Sequence, residues 1–303
     1  MKLKDFKNDG DQYEVRGYVK RVEQKMGKRG PYVTVTFTDG DTETFMNAWV
    51  PKEQFPWENK VVDMTILLRN GYMNCARCIE AVGADVSVYA KTAPADPAEC
   101  FDYIHKTAES FRSTNLRDIT LHILDKYKYD FKKWAAGKAL HHAYRSGLVY
   151  HVYRMLKSAK GLAEVYDGLD KDLLFAGIIL HDIGKLREMD TDELGTADYT
   201  LCGNLMGHLY LGANMLQEAI ATCRINPEDE ELLLLQHMIL SHHGKQEFGS
   251  VRTPSIPEAF LLFKIDEIDS RMAMMEEELA KMEPGTIAKA NPYMDNMALY
   301  KRK

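Results

Sequence analysis

Leu173-Leu174-Phe175-Ala176-Gly177-Ile178-Ile179-Leu180 runs without a charge into His181-Asp182-Ile183-Gly184-Lys185. A helix apolar on nearly every side belongs inside a bundle, so its end delivers an adjacent imidazole and carboxylate to the edge of a buried core. That donor pair suits Mn, Fe, Co, Ni or Zn better than Ca. Gly184 allows a close turn after the pair, and Lys185 supplies a cation beside an anionic substrate.

Further candidate ligands fall where a helical domain could converge them. His151 lies one helix upstream, on a segment whose Leu148, Val152, Met155, Leu156 and Ala159 share a face. Downstream come His208 after Gly207, the pair His242-His243 before Gly244, and Asp266 in Lys264-Ile265-Asp266-Glu267-Ile268-Asp269. Together they can hold two metals, with Asp182 as the natural bridge; such pairs, about 3.5–4 Å apart, activate water and clamp a phosphoryl group. A lone histidine at a helix end is more often a cap or a satisfied core residue, so the set carries the reading and no single member does. His105, His122 and His237 stand outside the pattern and read as structural.

Residues 13 to 82 have the other periodicity. Glu14 to Val19 and Tyr32 to Phe37 alternate, Asp39-Gly40 marks a hairpin before Thr42 to Val50, and Asn70-Gly71 separates Val61 to Leu68 from Tyr72 to Val82. Short strands in this number suit a small all-β barrel of the OB type. Arg16, Lys20, Arg21, Lys25, Lys28 and Arg29 form a basic stretch, with Tyr18, Tyr32, Phe37, Phe45 and Trp49 interleaved. Cations for phosphates and rings for bases are how such barrels hold single strands; the competing reading puts the rings in the barrel core and the cations on a solvated edge. Cys75-Ala76-Arg77-Cys78 lacks a second pair, and residues three apart on a strand face opposite sides, which argues against zinc.

Lys91 to Pro97 reads as a linker, and the pattern is helical from Ala98 to about Lys281, with Met272 to Met282 as a separate helix ended by Pro284-Gly285. The expected fold is therefore multidomain: an all-β OB-fold barrel over 1–90, a linker over 91–97, an all-α helical bundle over 98–283 and a polar tail over 284–303. Hydrophobic residues at 45% and charged residues at 28% are ordinary for a soluble globular chain, and a net charge of -6 confines any nucleic-acid contact to a local patch. No apolar run is long enough to span a membrane, the start is polar, and five cysteines suit a reducing cytoplasm. The oligomeric state stays open.

The order His151, His181-Asp182, Asp266 resembles the HD superfamily of metal phosphohydrolases, and His208 with His242-His243 resembles its two-metal branch. The Gly-Tyr-Pro element of the cyclic-di-GMP phosphodiesterases is absent; Gly244-Lys245-Gln246-Glu247 follows the pair instead. The nearer resemblance is to the YhaM family of 3′-5′ exoribonucleases. It is carried by Leu140-His141-His142-Ala143, Gly147 to His151, Asp172 to Asp182, Tyr199-Thr200-Leu201, Gly203 to His208, Ser241 to Gly244, Glu283-Pro284-Gly285 and Met294-Asp295-Asn296. It implies a hydrolase using divalent metal, Mn foremost and Fe, Co, Ni, Zn or Mg as alternatives, that releases nucleoside 5′-monophosphates from the 3′ end of single-stranded RNA or DNA. By the same resemblance His151, His181, Asp182 and Asp266 serve a first metal; His208, His242 and His243 serve a second and share Asp182; Lys185 approaches the substrate phosphate. His141 and His142 match a family motif, with a structural role, orientation of a ligand from behind, or substrate contact all open. Two competing readings are an HD-type nucleotidase or cyclic-dinucleotide phosphodiesterase, and a non-catalytic nucleic-acid-binding protein. The appended barrel argues against the first and the complete ligand set against the second.

Overall fold

The alternating amino-terminal residues form β1 (Gln12–Gly27), β2 (Gly30–Thr38), β3 (Glu43–Ala48), β4 (Lys60–Arg69) and β5 (Tyr72–Glu80). The structure is a computed structural model that describes residues 2–28, 30–138 and 142–303. The strands close in the order β1-β2-β3-β5-β4, antiparallel but for the contact of β3 with β5, which makes an OB-type barrel. Every second residue points inward, so Val33, Val35 and Phe37 of β2 meet Val15, Val19, Met64 and Ile66 in the core. The β2–β3 turn is built around Asp39, whose buried carboxylate accepts from the backbone N–H groups of Leu3, Asp41 and Thr42 at 2.6, 3.0 and 2.8 Å.

Two features of the barrel differ from expectation. β1 continues well past Val19, through the basic stretch to Gly27. Cys75 and Cys78 face the same side, because the pairing of β5 with β4 slips: Arg77 opposes Thr65 and Cys75 opposes Ile66, leaving Ala76 as an extra residue. A bulge of this kind breaks the two-residue period. Both thiols pack against the barrel core, and Cys75 Sγ donates to the Arg77 carbonyl at 3.4 Å.

The rest of the chain, from Thr92, is a second unit. Its elements are α1 (Pro97–Glu109), α2 (Thr114–Lys126), α3 (Lys128–Lys133), α4 (Gly147–Ala163), α5 (Lys171–Leu180), α6 (Lys185–Glu188), β6 (Met189–Thr191), β7 (Ala197–Tyr199), α7 (Leu201–Cys223), α8 (Glu230–Ser241) and α9 (Pro257–Lys281). The apolar helix α5 is central and packs on α1, α2, α4, α8 and α9. Asp170 caps its start by accepting from the Leu173 N–H at 3.0 Å. The α4 face of Leu148, Val152, Met155, Leu156 and Ala159 is wholly buried. Met272 to Met282 is not a separate helix: α9 runs unbroken from Pro257, so Asp266 and the Met-rich segment share one rod. The small β6–β7 hairpin interrupts an otherwise helical unit. The tail folds back on itself through Ile287 with Tyr300 and Asn291 with Met297, and buries Met294. Among the described residues no helix is long and apolar enough to cross a membrane.

Two glycines position the site. A Cβ on Gly184 would lie 2.0 Å from the His208 carbonyl oxygen and 2.6 Å from the Gly212 nitrogen, both backbone atoms. Gly207, at φ 73° and ψ 159°, breaks α7 so that His208 begins a new helical segment. We expect Gly184→Ala to destabilise the helical unit by about 1–3 kcal/mol, the usual cost of overpacking. Urea unfolding followed by circular dichroism measures this, and an unchanged midpoint would contradict the packing described.

Candidate metal centre

Five histidines converge on one carboxylate, each brought by a different local device. His151 lies in the first turns of α4, and His181 and Asp182 follow the last residue of α5. His208 starts the second segment of α7, and His242 and His243 end α8, where Gly244 at φ 75° turns the chain away. Asp266 comes from the middle of α9. The helix ends put side chains at the rim of the core while α5 itself stays inside it.

The two oxygens of Asp182 face different partners. Oδ2 lies 3.2 Å from His181 Nε2, 4.0 Å from His151 Nε2 and 2.7 Å from Lys185 Nζ. Oδ1 lies 3.7 Å from Nε2 of both His208 and His242, and makes no hydrogen bond. Asp266 Oδ1 stands 3.2 Å from His151 Nε2, on the Oδ2 side. The donors thus sort into His151, His181 and Asp266 on one flank and His208, His242 and His243 on the other, and both trios are tight enough to hold an ion. Asp182 lies between them.

All five rings are held by their Nδ1 atoms. His181 donates to the Ile178 carbonyl at 2.9 Å, His242 to the Ile239 carbonyl at 2.8 Å and His243 to the Phe248 carbonyl at 2.9 Å. His151 donates to Asp269 at 2.7 Å and His208 to Glu188 at 3.0 Å. Carbonyls and carboxylates can only accept, so each Nδ1 carries a hydrogen and each Nε2 is the ring atom turned inward. Nε2 of His208 and Nε2 of His243 are 3.1 Å apart, a contact that needs a cation between them, either a proton on one ring or a metal close to both. Nε2 of His181 is likewise buried without a hydrogen bond. This is the pattern of metal-binding histidines, oriented from behind by a second hydrogen bond, and the residues fit a metal.

The electrostatics agree. Burial works to raise the Asp182 carboxyl, but Lys185 and His181 outweigh it and hold it well below the usual carboxylate range. Asp266 is likewise held low, burial being outweighed by the hydrogen bond from His151 and the charge of His181. Burial pushes His242 well down and His243 down, which keeps their rings neutral. His151 is opposite: burial lowers it, but Asp266 and Asp269 lift it to about 9. A ring between two carboxylates favours a cation at Nε2, whether proton or metal.

Two residues here were not singled out in the sequence. Asp269 lies one helical turn from Asp266, a spacing that could have flagged it. Glu188 accepts both the His208 backbone N–H and its Nδ1–H, each at 3.0 Å, and only the break at Gly207 brings them together. His142 is fully buried and bonds Asp269, not the centre itself. His141 lies outside the described residues. His105 is engaged by Glu109 and Asp125, and His237 accepts from the Ser255 N–H.

On the barrel, most of the basic stretch is already paired. Arg16 meets Asp63 at 2.7 Å, Lys20 meets Glu43 at 2.5 Å, and Arg21 and Lys25 both meet Glu23 at 2.9 Å. Arg29 lies outside the described residues. Tyr18 and Phe37 are core, whereas Phe45 is exposed. Two adjoining clefts of about 590 and 630 Å³ share Trp49 and Arg69; Tyr72, Asn47 and Asn74 line the first, and Tyr32 and Lys28 the second. The Tyr32 and Trp49 rings are 4.9 Å apart, and Trp49 and Tyr72 are 62% and 69% exposed.

The HD-domain family matches residues 148–271, the span from α4 to α9 that contributes every histidine of the centre. The chain is 35% identical over 283 residues to the 3'-5' exoribonuclease YhaM of Shouchella clausii, covering 89% of this chain and 87% of that protein. It is 33% identical over 303 residues to the 3'-5' exoribonuclease YhaM of Bacillus licheniformis, covering 96% and 95%.

A ligand that binds only the folded state at 100 times its Kd stabilises that state by about 2.7 kcal/mol. Saturating Mn should therefore raise the melting temperature of the helical unit by roughly 5–10 °C. Asp182→Asn should remove most of the rise. A melting curve indifferent to Mn, Fe, Co, Ni and Zn would count against a metal centre.

Proposed function

The chain belongs to the HD-domain family, among the 3'-5' exoribonuclease YhaM proteins, and from that premise we propose that it is a two-metal enzyme that removes nucleotides one at a time from the 3′ end of a single strand. The observation that carries the proposal is Asp182 with one oxygen toward each histidine trio. In this reading His151, His181, Asp182 and Asp266 hold one ion, and Asp182, His208, His242 and His243 hold the other. The donor set suits Mn, with Fe, Co, Ni, Zn or Mg able to take the same donors. When bound, two such ions supply Lewis acidity, which lowers the pKa of water toward about 7 and draws charge from a phosphoryl group.

The residues of the chain perform the remaining tasks. Water attacks the terminal phosphodiester phosphorus; the P–O bond to the 3′-oxygen of the penultimate nucleotide breaks, that oxygen takes up a proton to become the new 3′-hydroxyl of the strand, the water's proton balancing it, and a nucleoside 5′-monophosphate is released. Lys185 is the side-chain cation of the centre, 2.7 Å from Asp182 Oδ2. Burial would lower its pKa, but Asp182 keeps the ammonium charged, and it meets the charge that builds on the phosphoryl oxygens. The Nδ1 anchors hold the rings in place so that little reorganisation accompanies the reaction.

The barrel supports a polymer substrate over a mononucleotide. Trp49, Tyr32 and Tyr72 offer flat faces to bases, while Arg69 and Lys28 stand beside them for phosphates. Because Arg16, Lys20, Arg21 and Lys25 are compensated by barrel carboxylates, strand binding falls mainly to this groove. The chain then acts on single-stranded RNA or DNA in the cytoplasm.

A 5′-labelled single-stranded oligoribonucleotide incubated with Mn should give a ladder that shortens from the 3′ end, with nucleoside 5′-monophosphate as the product. Asp182→Ala should abolish the ladder; full turnover in that variant, or uncut substrate with several metals, would overturn the proposal. Trp49→Ala should raise the KM for the strand by roughly 5- to 150-fold, the equivalent of one stacked base at about 1–3 kcal/mol, and leave kcat nearly unchanged. An unaltered KM would move strand binding away from this groove.

A further inference from the structure

We propose that Asp269 is a positioning residue that fixes the His151 ring, and that it selectively tunes one of the two metal positions. The inference rests on the two-metal reading above.

Asp266 and Asp269 sit three residues apart on α9, and the His151 ring lies between them. Nε2 faces Asp266 at 3.2 Å and Nδ1 faces Asp269 at 2.7 Å. The two carboxylates are not equivalent. Asp269 is 5% exposed and its oxygens are taken: Oδ2 accepts from His151 Nδ1 at 2.7 Å and from His142 Nε2 at 2.8 Å, and Oδ1 accepts from Arg154 Nε at 2.6 Å. A carboxylate surrounded by three donors has little capacity left for an ion. Asp266 faces the Nε2 side, toward Asp182, and keeps that capacity.

Direction is set along the whole chain of contacts. Burial lowers the His142 pKa, so the ring is neutral and carries one hydrogen. Tyr144 lies 2.7 Å from His142 Nδ1, and burial raises its hydroxyl well above the usual phenol range, so the phenol keeps its proton and donates it. The ring hydrogen of His142 then sits on Nε2 and points at Asp269. Arg154 is itself braced by Glu276 at 2.7 Å. Asp269 therefore joins the segment before α4, α4 itself and α9 at one point, and its charge commits His151 Nδ1 to donating. An imidazole whose Nδ1–H rests on a carboxylate is also a more basic donor through Nε2.

Among the described residues Asp269 makes no contact with the opposite trio, whose rings rest on a different carboxylate, Glu188, and on the carbonyls of Ile239 and Phe248. Loss of the Asp269 charge should thus weaken one metal position and spare the other. Asp269→Asn keeps the volume but replaces an all-acceptor group with an amide, which opposes either Arg154 or both imidazoles with its own N–H.

The test is Mn titration of the full chain by calorimetry and metal analysis, with single-strand turnover measured in parallel. We expect one of two Mn sites in Asp269→Asn to weaken by about 10- to 100-fold, the usual effect of removing such a partner, while the other keeps its affinity. kcat should fall at limiting Mn and recover at high Mn, with the KM for the strand unchanged. A residue that merely held helices together would lower the melting temperature without separating the two sites. If the Asn variant does not fold, Arg154→Gln, which removes one of the three donors, should weaken the same site by several-fold. An Mn titration in the folded variant identical to that of the parent chain would overturn the role of Asp269. Absence of Mn uptake by the parent chain would overturn the two-metal reading beneath it.

Discussion

One buried carboxylate organises the helical unit. Asp182 is 3% exposed at the end of a helix with hardly a polar side chain, and an isolated charge in such a place is strongly unfavourable. The surroundings answer with Lys185 at 2.7 Å and with the imidazoles of His181, His208 and His242 within 3.7 Å. The dense packing of α5 against five neighbours makes the arrangement rigid: the rings cannot swing away without opening a core in which Leu174, Ile178, Ile179 and Leu180 have no exposure. The apolar run and the polar centre are therefore two ends of one device, in which the first fixes where the second must be.

The split of the histidines into two trios follows from local backbone chemistry. His181 and His242 each bond the carbonyl three residues earlier, using acceptors that a helix end leaves over. That solution needs no extra side chain, so the bare motifs announce it. His208 and His151 are not at helix ends of this kind, and each needs a carboxylate from another element, Glu188 or Asp269. The Gly207 break serves the first of these, because without it the His208 N–H would be spent inside α7 and not on Glu188.

This difference explains what the sequence disclosed. The apolar period of α4 and α5, the alternation of the strands and the His-Asp set were legible because each depends on residues close in the chain or on residue type alone. Asp269 and Glu188 were hidden because their roles depend on which way a ring turns. The pairing of Arg16 with Asp63 and of Lys20 with Glu43 joins strands far apart in sequence, so a stretch that reads as a free basic patch is largely neutralised. The Trp49, Arg69 and Tyr72 groove is likewise assembled from strand ends that only barrel closure brings together. At Cys75 and Cys78 the two-residue rule failed because one bulged residue reverses the facing of everything after it.

Charge gives a reason for two ions over one. Asp182, Asp266, Asp269, Glu188 and Glu276 bring five negative charges to the centre and its supports, while Lys185 and Arg154 return two. One divalent ion would leave this region with one negative charge. Two would leave it with one positive charge, which would draw in the phosphodiester of the proposed reaction and favour the extra charge that develops as the P–O bond breaks. The monophosphate product carries more charge than the diester it came from, so the same excess slows its departure. In the proposed reaction a strand held on the barrel groove would relieve that conflict: affinity for the polymer would come from stacked bases, and the centre would bind the phosphoryl group no more tightly than turnover allows.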